Sequence, residues 1–207
     1  LIYARLDIGL ALILFFTPFY LIPRPLFDRA FSMVEVTSLL TLLAWAIHAV
    51  AARRETGWTS FADIWRDMTG ADKAVAAYVL LSLVSLAWAD LPGVAVTEFR
   101  QVIVEPAVVY LVLRTTPLTS RARWRIVDML ILAGVVVSVV GLYQYVTGTD
   151  VITAEAGIRR LKSTFYGSPN GAALYLGRLI PIAAAVLLVG GERLRRWLYG
   201  TAGVLMT

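Results

Sequence analysis

The 207-residue chain has no cysteine and a single histidine, His48. The first absence excludes disulfides and thiolate metal sites. The second excludes a multi-histidine metal or haem centre. Charge is also scarce, at 16% of residues, whereas hydrophobic residues reach 59% and mean hydropathy is +0.75. A soluble domain carries about 25% charge and about 45–50% apolar residues, so the composition reads as an integral membrane protein. The net charge of +5 is modest, and its cations cap apolar segments instead of forming one stripe. That pattern encodes orientation and headgroup contact and argues against a nucleic-acid partner. No internal repeat, low-complexity tract, P-loop, dinucleotide fingerprint or serine nucleophile elbow is present.

What remains is hydrocarbon-loving sequence, and the expected fold class is all-α, a polytopic transmembrane helical bundle forming one domain over 1–207. Six apolar segments lie at about Leu6–Ile22, Phe31–Ala51, Lys73–Ala89, Val94–Leu113, Ile126–Val146 and Gly171–Val189. A span needs about 20 residues, so the first and third require tilt or flanking residues. A seventh segment begins near Trp197 and stops at Thr207, which reads as the front part of a longer protein. The first segment lacks a small-residue cleavage site and reads as a span, not a signal peptide.

Connections alternate between two sides. Twelve basic residues fall on the side of the N-terminus and six on the other, with Arg178 inside the sixth segment. The positive-inside rule therefore predicts a cytoplasmic N-terminus. The 53–72 connection is then a cytoplasmic interfacial loop. Its Trp58, Phe61, Trp65 and Met68 recur at spacings of three or four, the stripe of a short surface helix, with a plain loop as the alternative. The lone His48 reads as structural.

The 148–170 connection becomes an external basic loop, against the charge rule. Arg159, Arg160 and Lys162 lie within four residues and suit a phosphate or pyrophosphate. Ser163 and Thr164 add hydroxyl donors. Asn170 is placed to cap the sixth helix, whose positive end points to the same anion. The plainer alternative is a solvated loop touching lipid phosphates. Arg178 sits about 12 Å further down that helix, sharing a face with Leu174 and Pro181. A charge so placed is expensive and is expected to face a bundle interior or an aqueous cavity. Glu98, Arg100, Gln101, Glu105 and Pro106 mark the fourth segment. Gln101 and Glu105 are one turn apart in an ordinary helix, and Glu105 is the expected internal partner of Arg178, in a structural or a catalytic pairing.

The run Arg160-Leu161-Lys162-Ser163-Thr164-Phe165, then Gly167 and Pro169-Asn170, leads into an apolar helix with Tyr175-Leu176 and Pro181. With the preceding Gly141-Leu142-Tyr143-Gln144-Tyr145-Val146-Thr147-Gly148, it resembles the O-antigen ligase / O-antigen polymerase family over about Ile126 to Leu188. The resemblance implies a membrane glycosyltransferase of cell envelope and lipopolysaccharide biogenesis, in the bacterial inner (cytoplasmic) membrane. It would transfer a glycan from a polyprenyl diphosphate to an acceptor on the external face, with no metal, nucleotide sugar or other cofactor. Arg160 matches the family's motif arginine and would hold the diphosphate; Arg159, Lys162 and Arg178 join it by charge and position, and Asn170 by its place in the motif. Arg100, Glu105, Ser163 and Thr164 are supporting candidates. The family's catalytic histidine and a second arginine lie in a later external loop with no counterpart in this sequence, so the chain alone is expected to be inactive and its catalytic residues stay unassigned. The alternatives are a non-enzymatic membrane subunit or scaffold of a larger complex, with other membrane subunits as partners, and a transporter fragment suggested by Pro18, Pro106 and Pro181.

Overall fold

The computed structural model describes residues 2–20, 24–26, 29–56, 65–153, 159–161, 169–190 and 192–207. Apart from two short hairpins, this chain is almost entirely helical. Helix α1 covers Leu6–Phe16 and tightens into a 3-10 turn at Thr17–Phe19, where Pro18 lacks the amide another α-turn would use. Strands β1 (Arg24–Leu26) and β2 (Arg29–Phe31) pair antiparallel, Pro25 opposite Ala30. Helix α2 covers Met33–Thr56. It starts on a reciprocal cap, in which the Ser32 amide donates to Glu35 Oε2 at 2.7 Å and the Glu35 amide donates to Ser32 Oγ at 3.1 Å. Helix α3, Gly70–Ser85, starts on the same device built from Thr69 and Asp72 and ends in a 3-10 turn at Leu86–Trp88.

Helices α4 (Pro92–Glu98) and α5 (Glu105–Thr115) are joined without a break by a π-helical segment, Phe99–Val104. Pro106 explains it. In an α-helix the proline ring collides with the carbonyl four residues back, and the wider π turn with its i→i+5 bonds relieves that collision. The Glu105 amide accordingly donates to the Arg100 carbonyl. Glu105 is thus tied through its backbone to Arg100, five residues back.

Helix α6, Ser120–Thr147, is capped by Thr119 and closed by Gly148 at φ 69°, a left-handed position that glycine takes without a Cβ penalty. Strands β3 (Val151–Thr153) and β4 (Arg159–Leu161) form the second hairpin, then α7 (Pro169–Val189) and α8 (Arg193–Met206) follow. Helix α7 runs on through Pro181.

Among the described residues, four helices are long and apolar enough to cross a membrane: Met33–Ala52, Gly70–Trp88, Ser120–Thr147 and Asn170–Val189. They coincide with the second, third, fifth and sixth expected segments. The count of about six is not confirmed, and among the described residues the other two segments fall short for separate physical reasons. The first apolar helix, Leu6–Phe19, rises only about 21 Å against a hydrocarbon core of about 30 Å. The fourth stretch is long enough but carries Glu98, Arg100 and Glu105 in its middle, each costly in lipid. Helix α3 has no buried residue, and Tyr78, Leu80, Leu81 and Val84 are all exposed. Apolar side chains on every side of an unburied helix are what a lipid-facing span would present.

The chain forms two compact units, Leu1–Leu10 with Thr37–Leu118, and Ala11–Val36 with Thr119–Thr207. In the first, Gly9 of α1 lies directly against the fully buried Thr41 of α2. His48 bonds through Nε2 to the Tyr3 carbonyl at 2.7 Å and stacks on the Tyr3 ring at 4.8 Å, a structural role. The Trp45 indole donates to Thr115 Oγ1 at 2.7 Å. In the second unit α6, α7 and α8 close around Ile131, Leu179, Ala183, Val186, Tyr199, Ala202 and Met206. Helices α6 and α8 run parallel. Trp124 meets Arg195, Asp128 meets Tyr199, and Gly134 approaches Met206, always at about the same offset in sequence.

Candidate functional site

The basic turn that carries the expected site lies in the second unit, between α6 and α7. Arg160 is the middle residue of β4, its backbone paired with Ile152, and its side chain is exposed. Strand alternation puts Arg160 on the face opposite half-buried Leu161. Arg159 pairs through its backbone with Thr153. Strand β4 contacts both α6 and α7, so the hairpin sits beside the helices that flank the turn, with Arg160 exposed. Lys162, Ser163 and Thr164 lie outside the described residues, as do Trp58 and Phe61 of the expected cytoplasmic stripe.

Asn170 does not cap α7. The helix begins at Pro169, and Asn170 is its exposed second residue. Proline suits the first position because that amide has no partner within the helix, and this moves asparagine one place inward. From there the Asn170 amide group stands beside the unpaired first-turn N–H groups that favour an anion.

Leu174, Arg178 and Pro181 do share a face, and all three are exposed, while Ala172, Leu179, Ala183 and Val186 form the buried side of α7. Within its own unit Arg178 thus lies on the outer side of the helix, away from the three-helix core. Arg100 and Glu105 belong to the first unit, Arg100 in the π segment and Glu105 in the first turn of α5.

Two polar clusters were missed by the sequence reading. In the first unit Asp72 Oδ1 accepts the Tyr110 hydroxyl at 2.7 Å and lies 3.5 Å from Arg114 Nε, while Oδ2 accepts the Thr69 amide and hydroxyl. In the second, Asp128 Oδ1 accepts the Tyr199 hydroxyl at 2.5 Å and Oδ2 lies 3.4 Å from Arg195 Nη2. Each is an aspartate on one helix facing a tyrosine and an arginine four residues apart on another, the spacing that puts both on one face. The common signal was an acid near or inside an apolar helix. Asp72→Ala removes the carboxylate half of the α3 capping box and the α3-to-α5 tie together. The expected result is a lower midpoint of detergent-induced unfolding, with Asp72→Asn falling less; an unchanged midpoint for Asp72→Ala would refute the tie.

The Asp128 cluster and the Arg160 turn occupy opposite ends of α6. From Asp128 to Thr147 the helix rises about 28 Å, and the hairpin follows beyond it. The ordered ion pairs of the second unit therefore stand apart from the turn expected to bind a diphosphate. Comparison with protein-family models, with curated proteins and with solved structures finds no match to this chain.

Proposed function

We propose that the chain is a membrane glycosyltransferase-like protein, similar to the O-antigen ligases, that binds a polyprenyl-diphosphate-linked glycan on the external face of the bacterial cytoplasmic membrane for transfer to an acceptor. The observation that carries this reading is the exposed Arg160, held on β4 beside the helices that flank the turn. Arg160 offers a two-pronged donor to a diphosphate oxygen. Arg159, Lys162 and the α7 N-terminus add positive potential at the same turn. Charge developing on the departing diphosphate is stabilised there, while activation of the acceptor hydroxyl falls to a general base outside this set of residues. Arg178, about 12 Å further along α7, extends the positive field toward the lipid carrier.

The test is transfer of lipid-linked glycan by membranes containing the full-length protein. Arg160→Ala is expected to lower transfer roughly tenfold, the loss of one charge-assisted hydrogen bond, and Arg160→Lys to recover part of it. Equal turnover in Arg160→Ala removes Arg160 from the site. A second reading, a non-enzymatic membrane subunit, is favoured by the two Asp–Tyr–Arg clusters, which commit polar groups to helix-to-helix ties. It predicts co-purification with partner chains in a fixed ratio and no transfer activity in the intact complex.

A further inference from the structure

We infer that the groove inside the α3–α4 hairpin binds a phospholipid with a primary-ammonium headgroup, its ammonium on Glu98 and Ser85 and an acyl chain along the hydrocarbon walls. This site is in the first unit and does not rest on the glycosyltransferase reading.

The groove measures about 330 Å³ and is lined from two sides. Ser82, Ser85 and Leu86 come from α3 and its 3-10 end, and Glu98, Phe99 and Val102 from α4 and the π segment. Spacings of three and four put each set on one helix face. Glu98 is the one charged residue in the lining, so the groove is net negative; Arg100, two residues on, does not line it, and Asp90 in the connecting turn has the same sign as Glu98. Among the described residues, no hydrogen bond or ion pair engages the Glu98 carboxylate. The Ser85 hydroxyl donates to the Ser82 carbonyl at 2.8 Å, so its proton is committed and its oxygen offers the groove lone pairs only. A carboxylate and an acceptor hydroxyl call for a ligand that is cationic and rich in N–H donors, and the Phe99 ring also favours a cation. Ser82 and Ser85 belong to the last turns of the apolar helix Gly70–Trp88, whose Leu81 and Val84 are exposed. At the end of such a span the adjoining molecule is lipid, with headgroups at that level. A carboxylate beside hydrocarbon is costly alone, and a lipid ammonium answers it. Choline presents methyl groups that cannot donate, and an anionic headgroup meets Glu98 with like charge.

The experiment is native mass spectrometry of the full chain in detergent, titrated with dioleoyl phosphatidylethanolamine, phosphatidylcholine or phosphatidylglycerol. Phosphatidylethanolamine is expected to bind roughly tenfold more tightly than phosphatidylcholine, the worth of charge-assisted hydrogen bonding, and phosphatidylglycerol to bind no better than phosphatidylcholine. Glu98→Gln changes an exposed side chain and is expected to weaken phosphatidylethanolamine binding roughly tenfold, leaving phosphatidylcholine unaffected. Ala95→Leu, which narrows the groove from the α4 side, is expected to exclude the lipid while helicity and monodispersity are kept; if that variant does not fold, Glu98→Gln carries the test. Equal retention of phosphatidylethanolamine and phosphatidylcholine overturns the inference, as does indifference to Glu98→Gln. Displacement by phosphoethanolamine would make this a site for a small soluble amine, and displacement by an oligolysine peptide a protein-docking site, and either result also overturns it.

Discussion

Asp128→Ala is expected to lower the stability of the second unit by about 2–3 kcal/mol, read as the shift in a detergent-induced unfolding midpoint. Most of this comes from the Tyr199 hydroxyl. Tyr199 is buried and donates to Asp128, and a buried donor left without its acceptor costs about 1–3 kcal/mol. The Arg195 contact adds less, because at 3.4 Å it is long and the Asp128 side chain is 42% exposed, so the pair is partly screened. The variants separate the two contributions. Tyr199→Phe removes the donor together with its need for a partner and is expected to cost about 1 kcal/mol. In the Tyr199→Phe background, Asp128→Ala should then cost clearly less than it does alone. Additive costs would show that the hydroxyl and carboxylate act independently, contrary to their 2.5 Å contact.

The second large effect concerns two glycines and what surrounds them. A Cβ on Gly134 would lie 2.6 Å from Leu179 Cδ1 and 2.7 Å from Met206 Sδ. Both are ends of flexible chains, so Gly134→Ala is expected to cost under about 1 kcal/mol once those ends turn aside. Gly134→Leu fills the point where α6, α7 and α8 close, and is expected to cost about 3 kcal/mol, the upper range for overpacking. Gly9 has a stiffer neighbour. Thr41 is β-branched and fully buried, and its hydroxyl is held by the Thr37 carbonyl at 2.7 Å, so it has little rotamer freedom with which to yield. At Gly9 even alanine is expected to cost about 2–3 kcal/mol. Unfolding midpoints of Gly9→Ala and Gly134→Ala decide the point: equal values would mean that the rigidity of the neighbour does not matter.

Helical character and four long apolar helices were legible because runs such as Ile126–Val146 leave no alternative once length and hydropathy are counted. The π segment in the fourth stretch was not, because Pro106 acts through backbone hydrogen bonding, which a face-by-face reading assumes to be regular. The capping boxes of Ser32 with Glu35 and Thr69 with Asp72 were visible as spacings of three. The clusters around Asp72 and Asp128 needed tertiary information: Tyr110 and Arg114, or Arg195 and Tyr199, are ordinary neighbours on a helix until a distant aspartate is set against them. Asp128 still carried a local warning, the same intramembrane-charge rule that singled out Arg178. At the candidate site, the register that turns Arg160 outward depends on its pairing with Ile152, eight residues upstream, and no local pattern announces it.

The π segment has a bearing on how the run 92–115 meets its surroundings. One extra residue per turn amounts to about 100° of rotation, so the stretch carries two helical phases joined at a seam. Glu98 and Glu105, seven residues apart, would stack on a uniform α-helix and repel one another. Across the seam they point about a third of a turn apart, and one continuous rod presents its two acids on different sides.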